Sequence, residues 1–464
     1  YGAIAKVNRG TILFCSADGE IKFASSLAGS TFGGIVGKNY GHIGFTSSNV
    51  RIGQTDNATG HNISVGGIAG EMNKQVDGDF AQISNSFATG TLRLSQVTGE
   101  NLCVVGGIVG NLIAGNLQLC YSAARIDYLN ATSVKAYGAV FSNDNGGDQA
   151  NNVYDEVKIS NVYNDKLATL LTTVEASVYD ISMQNIMQSG LPSGFDSFAW
   201  SSFAIDYNQN SKVVMLNYGY PYLKYASQSV SQIANKGTGS TDRPYLIKNQ
   251  SSLEIINALV AKSMTYTYKL DDDIYCTDGD YISSFIGTLD GGNKTIYNMS
   301  MTVSSGTENG FVSVNKGTIS NIAFANASAQ ITSNHNGRAF GLVVGSNSGK
   351  ISNVRVARAT VSYESTSSAV SQSVEMSIGG FVGENSGQIT GSSVSTLQMT
   401  MRNSHITGSA NLGGFVGKNL SKGTIGTDSK SIDCSVSNLT INAGGNSKIA
   451  SSVYKRVGGF VGYV

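Results

Sequence analysis

Acidic residues come closest to a catalytic arrangement in this sequence. Asp271, Asp272 and Asp273 are consecutive, and Asp278 and Asp280 follow shortly after them. Paired carboxyl groups can act as general acid and general base on a sugar chain, or can bind calcium. The alternative is a solvated, turn-forming role for these carboxylates.

A further aspartate, Asp290, lies in the turn sequence Leu289–Gly291. A carbohydrate-active lyase or hydrolase would place Asp271–Asp273 or Asp290 in its catalytic groove. No G-x-S-x-G elbow with its partners and no H-E-x-x-H sequence is present, so serine hydrolase and metalloprotease chemistry are not indicated. We therefore assign no catalytic residue and no cofactor-binding residue.

Metal ligands are equally sparse. The segment Asn143–Asp148 could bind calcium weakly, but it lacks the spacing of an EF-hand loop and is typical of an Asx-rich loop. The histidines are far apart in the sequence, and no H-x-x-x-H pair occurs. They are His42, His61, His335 and His405. We assign no metal ligand.

The cysteines follow the repeat of the chain. The five cysteines are Cys15, Cys103, Cys120, Cys276 and Cys434, and none of them belongs to a C-x-x-C pair. Cys15 lies three residues after Ile12, and Ser86 lies three after Ile83. A position shared by cysteine and serine is small, and we expect it to face inward. This predicts buried free thiols, with neither disulfides nor catalysis.

Composition excludes several partners. The 464 residues carry 31 Lys+Arg and 31 Asp+Glu, so the net charge is zero, which argues against general nucleic-acid binding. Charged residues are 13% of the chain, about half the usual share. No apolar run is long enough to span a membrane. Because the chain starts at Tyr1, we expect a processed protein or an excerpt of a longer polypeptide.

A glycine phrase recurs along the chain and organises it. Within each half, the copies are 31 to 45 residues apart, a spacing that predicts stacked repeats. We expect glycine to be needed there for a positive φ at a tight corner and for close approach of neighbouring repeats. The full copies are Gly33–Gly37, Gly66–Gly70, Gly106–Gly110, Gly379–Gly383, Gly413–Gly417 and Gly458–Gly462.

Short alternating strands lie between the phrases. Examples are Gly317–Ile322 and Gly349–Val354, in which apolar residues alternate with Ser, Thr or Asn. The pattern predicts an all-β fold, a right-handed parallel β-helix (β-solenoid) in two tandem arrays. A propeller, the main rival, needs longer antiparallel strands in repeats of steadier length.

The predicted domains are 1–235 and 236–464. Residues 151–235 lose the phrase and contain a helix-favouring stretch, Lys166–Ser189, and the only tryptophan, Trp200. The closing tyrosines could form a sugar-stacking platform, but we expect their rings to pack over a cap with their hydroxyls in water. These tyrosines are Tyr218, Tyr220, Tyr222 and Tyr225.

The second array opens at Gly237–Ile247 and continues into a predicted helix, Ser252–Lys262. Ser251 and Glu254 are spaced as a capping box. One apolar face of the helix would cover the first coil of the array, whose core and strand edges are otherwise exposed.

The repeats resemble those of GLUG-motif proteins, bacterial surface and secreted proteins with Gly-rich β-solenoids. Gly33–Ile43, Gly379–Ile389 and Gly413–Ile425 match the family's repeat, which reads GG-hydrophobic-VG-x-N-x-G-x-I. The resemblance implies extracellular attachment or spacer roles, and sometimes a stalk beside an enzyme domain.

We therefore expect a non-enzymatic extracellular structural or adhesive protein, a stalk or filament segment of a longer surface polypeptide. It would display loops such as the Ser-rich insertion Tyr363–Glu375. Expected partners are surface glycans or proteins, or copies of the chain itself, with no nucleic acid and no membrane insertion. The alternatives are a carbohydrate-active β-helix enzyme, or the stalk of a secreted protease or lectin.

Overall fold

A computed structural model describes most of the chain. The described residues are 1–23, 29–54, 63–75, 77–94, 103–127, 134–142, 156–169, 177–181, 190–197, 199–201, 220–223, 237–260, 265–277, 279, 281–304, 307–332, 339–365, 375–403, 409–427, 433–443 and 455–464. The chain divides into two compact units, Tyr1–Lys236 and Gly237–Val464. Strands dominate both units, so the prediction of an all-β fold is confirmed.

The first unit contains short strands and one short helix. In chain order they are β1 (Ala5–Asn8), β2 (Thr11–Leu13), β3 (Ser16–Phe23), β4 (Thr31–Gly33), β5 (Val36–Asn39), β6 (His42–Gly44), β7 (Ser47–Gln54), β8 (Ser64–Gly66), β9 (Ala69–Met72), β10 (Gln82–Ser84), β11 (Phe87–Ala88), β12 (Thr91–Arg93), β13 (Cys103–Gly106), β14 (Val109–Leu112), β15 (Gly115–Ser122), β16 (Arg125–Asp127), β17 (Val134–Gly138), β18 (Val157–Asn164), α1 (Lys166–Thr169), β19 (Val178–Asp180), β20 (Trp200–Ser201) and β21 (Tyr222–Leu223).

The second unit has the same character and one longer helix. In chain order its elements are β22 (Tyr245–Ile247), α2 (Gln250–Val260), β23 (Thr267–Leu270), β24 (Ile274–Tyr275), β25 (Ile282–Phe285), β26 (Thr288–Tyr297), β27 (Ser300–Val303), β28 (Glu308–Asn309), β29 (Val312–Asn315), β30 (Thr318–Ala325), β31 (Ser328–Thr332), β32 (Ala339–Gly341), β33 (Val344–Asn347), β34 (Lys350–Ser352), β35 (Arg355–Ser365), β36 (Met376–Gly379), β37 (Val382–Asn385), β38 (Gln388–Thr390), β39 (Ser393–Asn403), β40 (Ala410–Gly413), β41 (Val416–Asn419), β42 (Thr424–Ile425), β43 (Ser435–Asn442), β44 (Lys455–Gly458) and β45 (Val461–Tyr463).

Three parallel sheets make up each array. In the second unit, one sheet runs β28-β32-β36-β40-β44 and another runs β25-β29-β33-β37-β41-β45, while the remaining strands form a larger third sheet. The first unit has corresponding sheets, β4-β8-β13-β17 and β1-β5-β9-β14, beside its own larger sheet. Each strand pairs with the equivalent strand of the next repeat, so equivalent residues form columns along the array.

The glycine phrase is the corner between the two smaller sheets. In the copy at Gly379, β36 ends on that glycine and β37 begins at Val382, after Gly380 and Phe381. A Cβ atom placed on Gly380 would lie 2.3 Å from the carbonyl oxygen of Gly414 in the next repeat. Real Cβ atoms do not approach backbone so closely, so glycine is required for the repeats to reach strand spacing.

The expectation of positive φ at the phrase is wrong. The described glycines with positive φ lie outside the phrase copies. Left-handed corners occur instead at non-glycine residues such as Asn85 (φ 47°) and Leu119 (φ 55°). Asparagine tolerates this conformation better than other side chains do, and a leucine there is strained. The phrase therefore needs glycine for close approach alone.

A small residue follows several of the left-handed corners, and these small residues form a column along the first unit. Register places Cys15, Thr46, Ser86 and Cys120 at equivalent positions of successive repeats. The Ser86 hydroxyl donates to the carbonyl oxygen of Ser84 at 2.8 Å, and the Cys120 thiol to that of Gln118 at 3.2 Å. The predicted shared position is thus confirmed, because each thiol or hydroxyl makes the same bond two residues back.

The five cysteines are free. Burial is confirmed for Cys103, Cys120 and Cys276, whereas Cys15 and Cys434 are only half-buried. Burial raises the pKa of the Cys120 thiol to about 12, which keeps the sulfur protonated and unreactive at neutral pH.

A buried asparagine ladder runs through the second unit. The side-chain amide of Asn315 donates to Oδ1 of Asn347, that of Asn347 to Asn385, and that of Asn385 to Asn419, each at 2.8 Å. Asn315, Asn347 and Asn385 are fully buried. Their oxygens also receive turn amides, as when Gly317 N–H donates to Asn315 at 3.1 Å. The ladder satisfies polar groups that would otherwise be costly to bury.

Helix α2 lies beside the edge strand β25. The side chain of Asn257 donates to the carbonyl oxygen of Tyr281 at 2.6 Å and accepts from Ser283 N–H at 3.0 Å, so it supplies bonds that a neighbouring strand would otherwise make. The helix begins earlier than predicted. Its first-turn donor Ser252 N–H is bonded to Asn249 Oδ1 at 2.9 Å, which makes Asn249 the N-cap in place of Ser251.

Among the described residues of the helix-favouring stretch Lys166–Ser189, only the beginning is helical. Helix α1 ends at Thr169, and Val178–Asp180 is a strand. Asp165 lies between β18 and α1 and is the N-cap of α1, because its Oδ1 accepts from Leu167 N–H at 3.0 Å. The buried hydroxyl of Tyr220 donates to Asp165 Oδ2 at 2.8 Å, which provides a tertiary contact that local helix propensity does not encode.

The closing aromatic residues pack onto the first unit. Trp200 is fully buried against Tyr121 and Phe195, with ring centroids 6.0 and 4.5 Å away. Tyr121 donates its hydroxyl to the carbonyl oxygen of Pro221 at 2.7 Å. The expectation that the closing hydroxyls face water is therefore wrong for Tyr220, while Tyr218 and Tyr225 lie outside the described residues.

We predict that Gly380→Ala lowers the free energy of unfolding by about 2–3 kcal/mol, because the new methyl group collides with the next repeat. Gly459 occupies the same place in the last phrase, and a Cβ there meets no atom within 4 Å. Gly459→Ala should change stability by less than about 0.5 kcal/mol. Urea unfolding followed by circular dichroism measures both, and equal losses would contradict the close-approach explanation.

We predict that Asn347→Ala costs about 2–4 kcal/mol, because it leaves a buried donor on Asn315 and a buried acceptor on Asn385 without their ladder partners. Asn419, the last member of the ladder, is half-buried, so Asn419→Ala should cost less. Thermal unfolding of the two variants tests the order. A smaller loss for Asn347→Ala would show that the ladder contributes little.

Candidate functional site

A polar trench crosses five strands of the larger sheet in the second unit. It follows the column Thr288, Thr318, Lys350, Gln388 and Thr424, the first residues of β26, β30, β34, β38 and β42. With about 4.8 Å between neighbouring strands, this column is about 19 Å long. The trench has a volume of about 690 Å³, and it is an open groove along the array.

Glycines before these strands line the trench. A Cβ on Gly317, Gly349 or Gly387 would lie 2.1–2.2 Å from the carbonyl oxygen of the preceding glycine in the column. The middle column therefore carries no side chain, and the columns on either side form the walls. The lining residues are Thr265, Ile286, Gly287, Thr288, Lys316, Gly317, Thr318, Ser348, Gly349, Lys350, Ser386, Gly387, Gln388, Lys422 and Thr424.

The walls are polar and positively charged. Lys316, Lys350 and Lys422 are exposed, and none of the described residues that line the trench is acidic. Hydroxyl and amide groups of Ser, Thr and Gln, together with the side chain of Ile286, complete the surface. The trench can thus attract an anion and can donate to and accept from a ligand rich in hydroxyl groups.

Two of the aspartates singled out in the sequence accept hydrogen bonds from backbone N–H groups. Asp271, Asp272 and Asp273 lie between β23 and β24. Asp272 Oδ1 accepts from Asp273 N–H at 2.9 Å, and Asp273 Oδ1 accepts from Thr295 N–H at 2.8 Å. Asp278 and Asp280 lie outside the described residues.

Asp290 begins a second asparagine ladder on the surface. Its Oδ1 accepts from Gly292 N–H at 3.0 Å and from the side-chain amide of Asn321 at 2.9 Å. Asn321 in turn accepts from Asn353 at 2.8 Å. Asp290 and Asp273 thus each bind the backbone of β26 or its turn, and these carboxylates do not line the trench.

Histidine and metal chemistry have little support in the described chain. His42 Nε2 lies 3.3 Å from the Ser84 hydroxyl oxygen. The other histidines, His61, His335 and His405, lie outside the described residues, as does the candidate calcium loop Asn143–Asp148. Within the described ranges, no group of three His, Cys, Asp or Glu residues could hold a metal ion.

An ion cluster joins three successive repeats of the second unit. The Glu375 carboxylate lies 2.5 Å from Lys418 Nζ and 2.9 Å from an Arg456 guanidinium nitrogen, and accepts from the Asn411 amide at 3.1 Å. The Arg456 guanidinium also stacks over the Tyr463 ring, 4.4 Å from its centroid. The sequence did not indicate this cluster because the side chains bonded to Glu375 lie 36 to 81 residues away from it along the chain. They come together only because the repeats stack.

The cluster shifts the titration of its carboxyl group. Burial alone would raise the pKa of Glu375, but hydrogen bonds from Lys418 and Asn411, together with the charges of Lys418 and Arg456, lower it overall. The arrangement acts as an electrostatic clamp between repeats. Within the described residues, the side chains bonded to the Glu375 carboxylate are two cations and one amide, with no second carboxyl group to complete an acid–base pair, so we do not treat it as a catalytic site.

Comparisons with known proteins identify no relative. No family model matches the chain, and no curated protein matches it. Among solved structures, a protein from Bacteroides ovatus named as a candidate immunoglobulin A1 protease is 15% identical; the match covers 48% of this chain and 86% of that chain, with a TM-score of 0.24. A likeness this weak carries no argument about fold or activity.

Membrane spanning by a helix has no support in the described chain. Within the described residues, neither helix has the length and apolar content needed to cross a bilayer.

We predict that Glu375→Gln destabilises the protein by about 0.5–1 kcal/mol at pH 7, because the carboxylate is about one-third exposed and water screens its charges. Since the folded-state pKa lies below the ordinary value of 4.5, this contribution is present above that value. It is lost as the pH falls from 4.5 through the folded-state pKa, because Glu375 then becomes protonated and is as neutral as the glutamine of the variant.

Urea unfolding of both proteins between pH 7 and pH 3 measures the difference. Glu20→Gln is the control, because Glu20 is exposed and its salt-bridge partner, Lys22, is also exposed. A Glu375→Gln effect that stays constant across this range would contradict the electrostatic clamp.

Proposed function

We propose that this chain is a non-enzymatic extracellular structural or adhesive protein, a stiff stalk or filament segment of a longer surface polypeptide. In this proposal each unit is a right-handed parallel β-helix of the kind that the GLUG resemblance implies, in two tandem arrays. The observation that carries the proposal is the direct stacking of equivalent backbone positions, as at Gly380 and Gly414.

The stacking supports a mechanical role. Successive repeats of the second unit are joined by parallel strand pairs. The asparagine ladder joins the repeats from Asn315 to Asn419 as well, and the Glu375 cluster adds contacts near the end of the array. Stacked aromatic rings add a further column, with Phe415 lying 4.6 and 4.8 Å from Phe381 and Phe460 between ring centroids. In repeat proteins such nearest-neighbour contacts sum along the axis, so the array resists extension as a series of similar units.

The positions of the carboxylates favour a structural protein over an enzyme. A glycosidase needs two carboxyl groups that face one glycosidic bond. Asp273 and Asp290 instead each accept a backbone N–H in or near β26. A carbohydrate-active β-helix enzyme, or the stalk of a secreted protease or lectin, is the alternative. The Ser-rich insertion proposed for display lies mostly outside the described residues, at 366–374.

We predict that the full chain, pulled from its two ends in a force spectrometer, extends in repeated steps. A repeat of 31 to 45 residues should release about 110–160 Å of chain when it detaches from the array. Steps of that size would support a stack of similar load-bearing units. A smooth extension at low force, without steps, would contradict the stalk proposal.

The enzyme alternative has its own test. Purified protein is incubated with acidic and neutral polysaccharides, and reducing or unsaturated products are measured. We expect no release above that of a boiled sample. Release that disappears in Asp273→Asn or Asp290→Asn, with folding retained, would establish the alternative and overturn the non-enzymatic proposal.

A further inference from the structure

We propose that the trench of the second unit binds an acidic polysaccharide that lies along the array. This inference deepens the adhesive role proposed above and rests on it for the extracellular setting. It names the chemistry of the partner: a polymer of sugars that carries carboxylate or sulfate groups. The trench offers three features that suit such a ligand: length, positive charge and walls rich in hydroxyl groups.

The length comes from the repeat itself. Because the glycine column at Gly287, Gly317, Gly349 and Gly387 recurs in register, the trench continues from one strand to the next without a closing wall. A compact small molecule would contact only one or two repeats. An extended polymer can contact all five strands over about 19 Å, and weak contacts repeated along it add together.

The charge comes from both walls. Lys316 lies in the column that continues with Ser348 and Ser386, whereas Lys350 lies in the opposite column with Thr318 and Gln388. Lys422 lines the far end. Lysine ammonium groups on flexible stems act as point charges and adapt to irregularly spaced anions. Their distribution along the trench favours a ligand with several separated negative charges.

The remaining wall groups suit a sugar. Thr288, Thr318 and Gln388 on one side and Ser348 and Ser386 on the other can each donate and accept hydrogen bonds. Sugar hydroxyls need both kinds of partner, so these walls match a chain of pyranose units better than they match an apolar ligand.

Other polyanions fit less well. Among the described lining residues there is no aromatic side chain on which a nucleic-acid base could stack and no arginine to bind a phosphate through two hydrogen bonds. A membrane surface would require basic residues and apolar anchors that project outward, whereas the trench is recessed.

The test is a binding titration of the full chain with defined polymers. Polygalacturonate and dextran sulfate supply carboxylate and sulfate groups, and neutral dextran supplies hydroxyls alone. We expect at least one acidic polymer to bind at least tenfold more tightly than dextran, with affinity falling as salt rises. Comparison of the two acidic polymers identifies which anion the trench prefers.

The trench variant combines Lys316→Ser, Lys350→Gln and Lys422→Gln. Ser348 and Gln388 occupy the first two positions in neighbouring repeats, so the array already accommodates these side chains. We expect this variant to lose at least tenfold in affinity for the acidic polymer. A second variant, Ser348→Glu, places a negative charge in the trench at an exposed position and should also weaken binding.

The control variant combines Lys6→Gln, Lys158→Gln and Lys269→Gln, which removes the same charge from exposed lysines outside the trench. It should bind as the unmodified protein does. Equal losses in the control and trench variants would overturn the proposal, as would equal binding of dextran, or tighter binding of oligo-dT or of phosphatidylserine vesicles. Absence of binding to every acidic polymer would also overturn it, yet would leave the stepwise extension expected of a stalk intact.

Discussion

The fold depends on direct backbone contact between repeats at the glycine phrase. Gly380 and Gly414 leave no space for a methyl group between one repeat and the next. This contact holds the repeats at strand spacing, and parallel pairing on all three sheets requires that spacing. A side chain at this position would separate the repeats locally and lengthen the hydrogen bonds on either side. The phrase therefore recurs because each repeat must meet the same steric limit.

The buried ladder and the surface trench follow from that spacing. Asparagine side chains can hydrogen-bond in sequence only when their backbones are one strand apart, as at Asn315 and Asn347. The glycines before β30 and β34, Gly317 and Gly349, again leave no room for Cβ. There the same restriction leaves a column without side chains, and these glycines line the trench. One constraint thus acts both in the stacking proposed for a stalk and along the recess proposed for a ligand.

The sequence predicted the structural features that recur in every repeat. Phrase spacing predicted stacked repeats, and the position shared by Ser86 and Cys120 was evident from its distance after an apolar residue. Contacts between distant repeats were not predictable in the same way. Glu375 meets Arg456 across 81 residues, and no local pattern marks either residue. Helix α2 begins before the predicted start because Asn249, two residues before Ser251, accepts the first-turn N–H of Ser252.

Amide hydrogen exchange in the full chain tests the backbone contact most directly. The N–H groups of Phe381 and Phe415, within the phrase, donate to the carbonyl oxygens of Phe415 and Phe460 in the next repeat at 3.0 and 2.9 Å. We expect these amides to exchange only when the array unfolds, with protection close to the global free energy of unfolding. Exchange of both amides at the rate of an exposed loop would show that the repeats do not meet at the phrase, and would contradict this account of the fold.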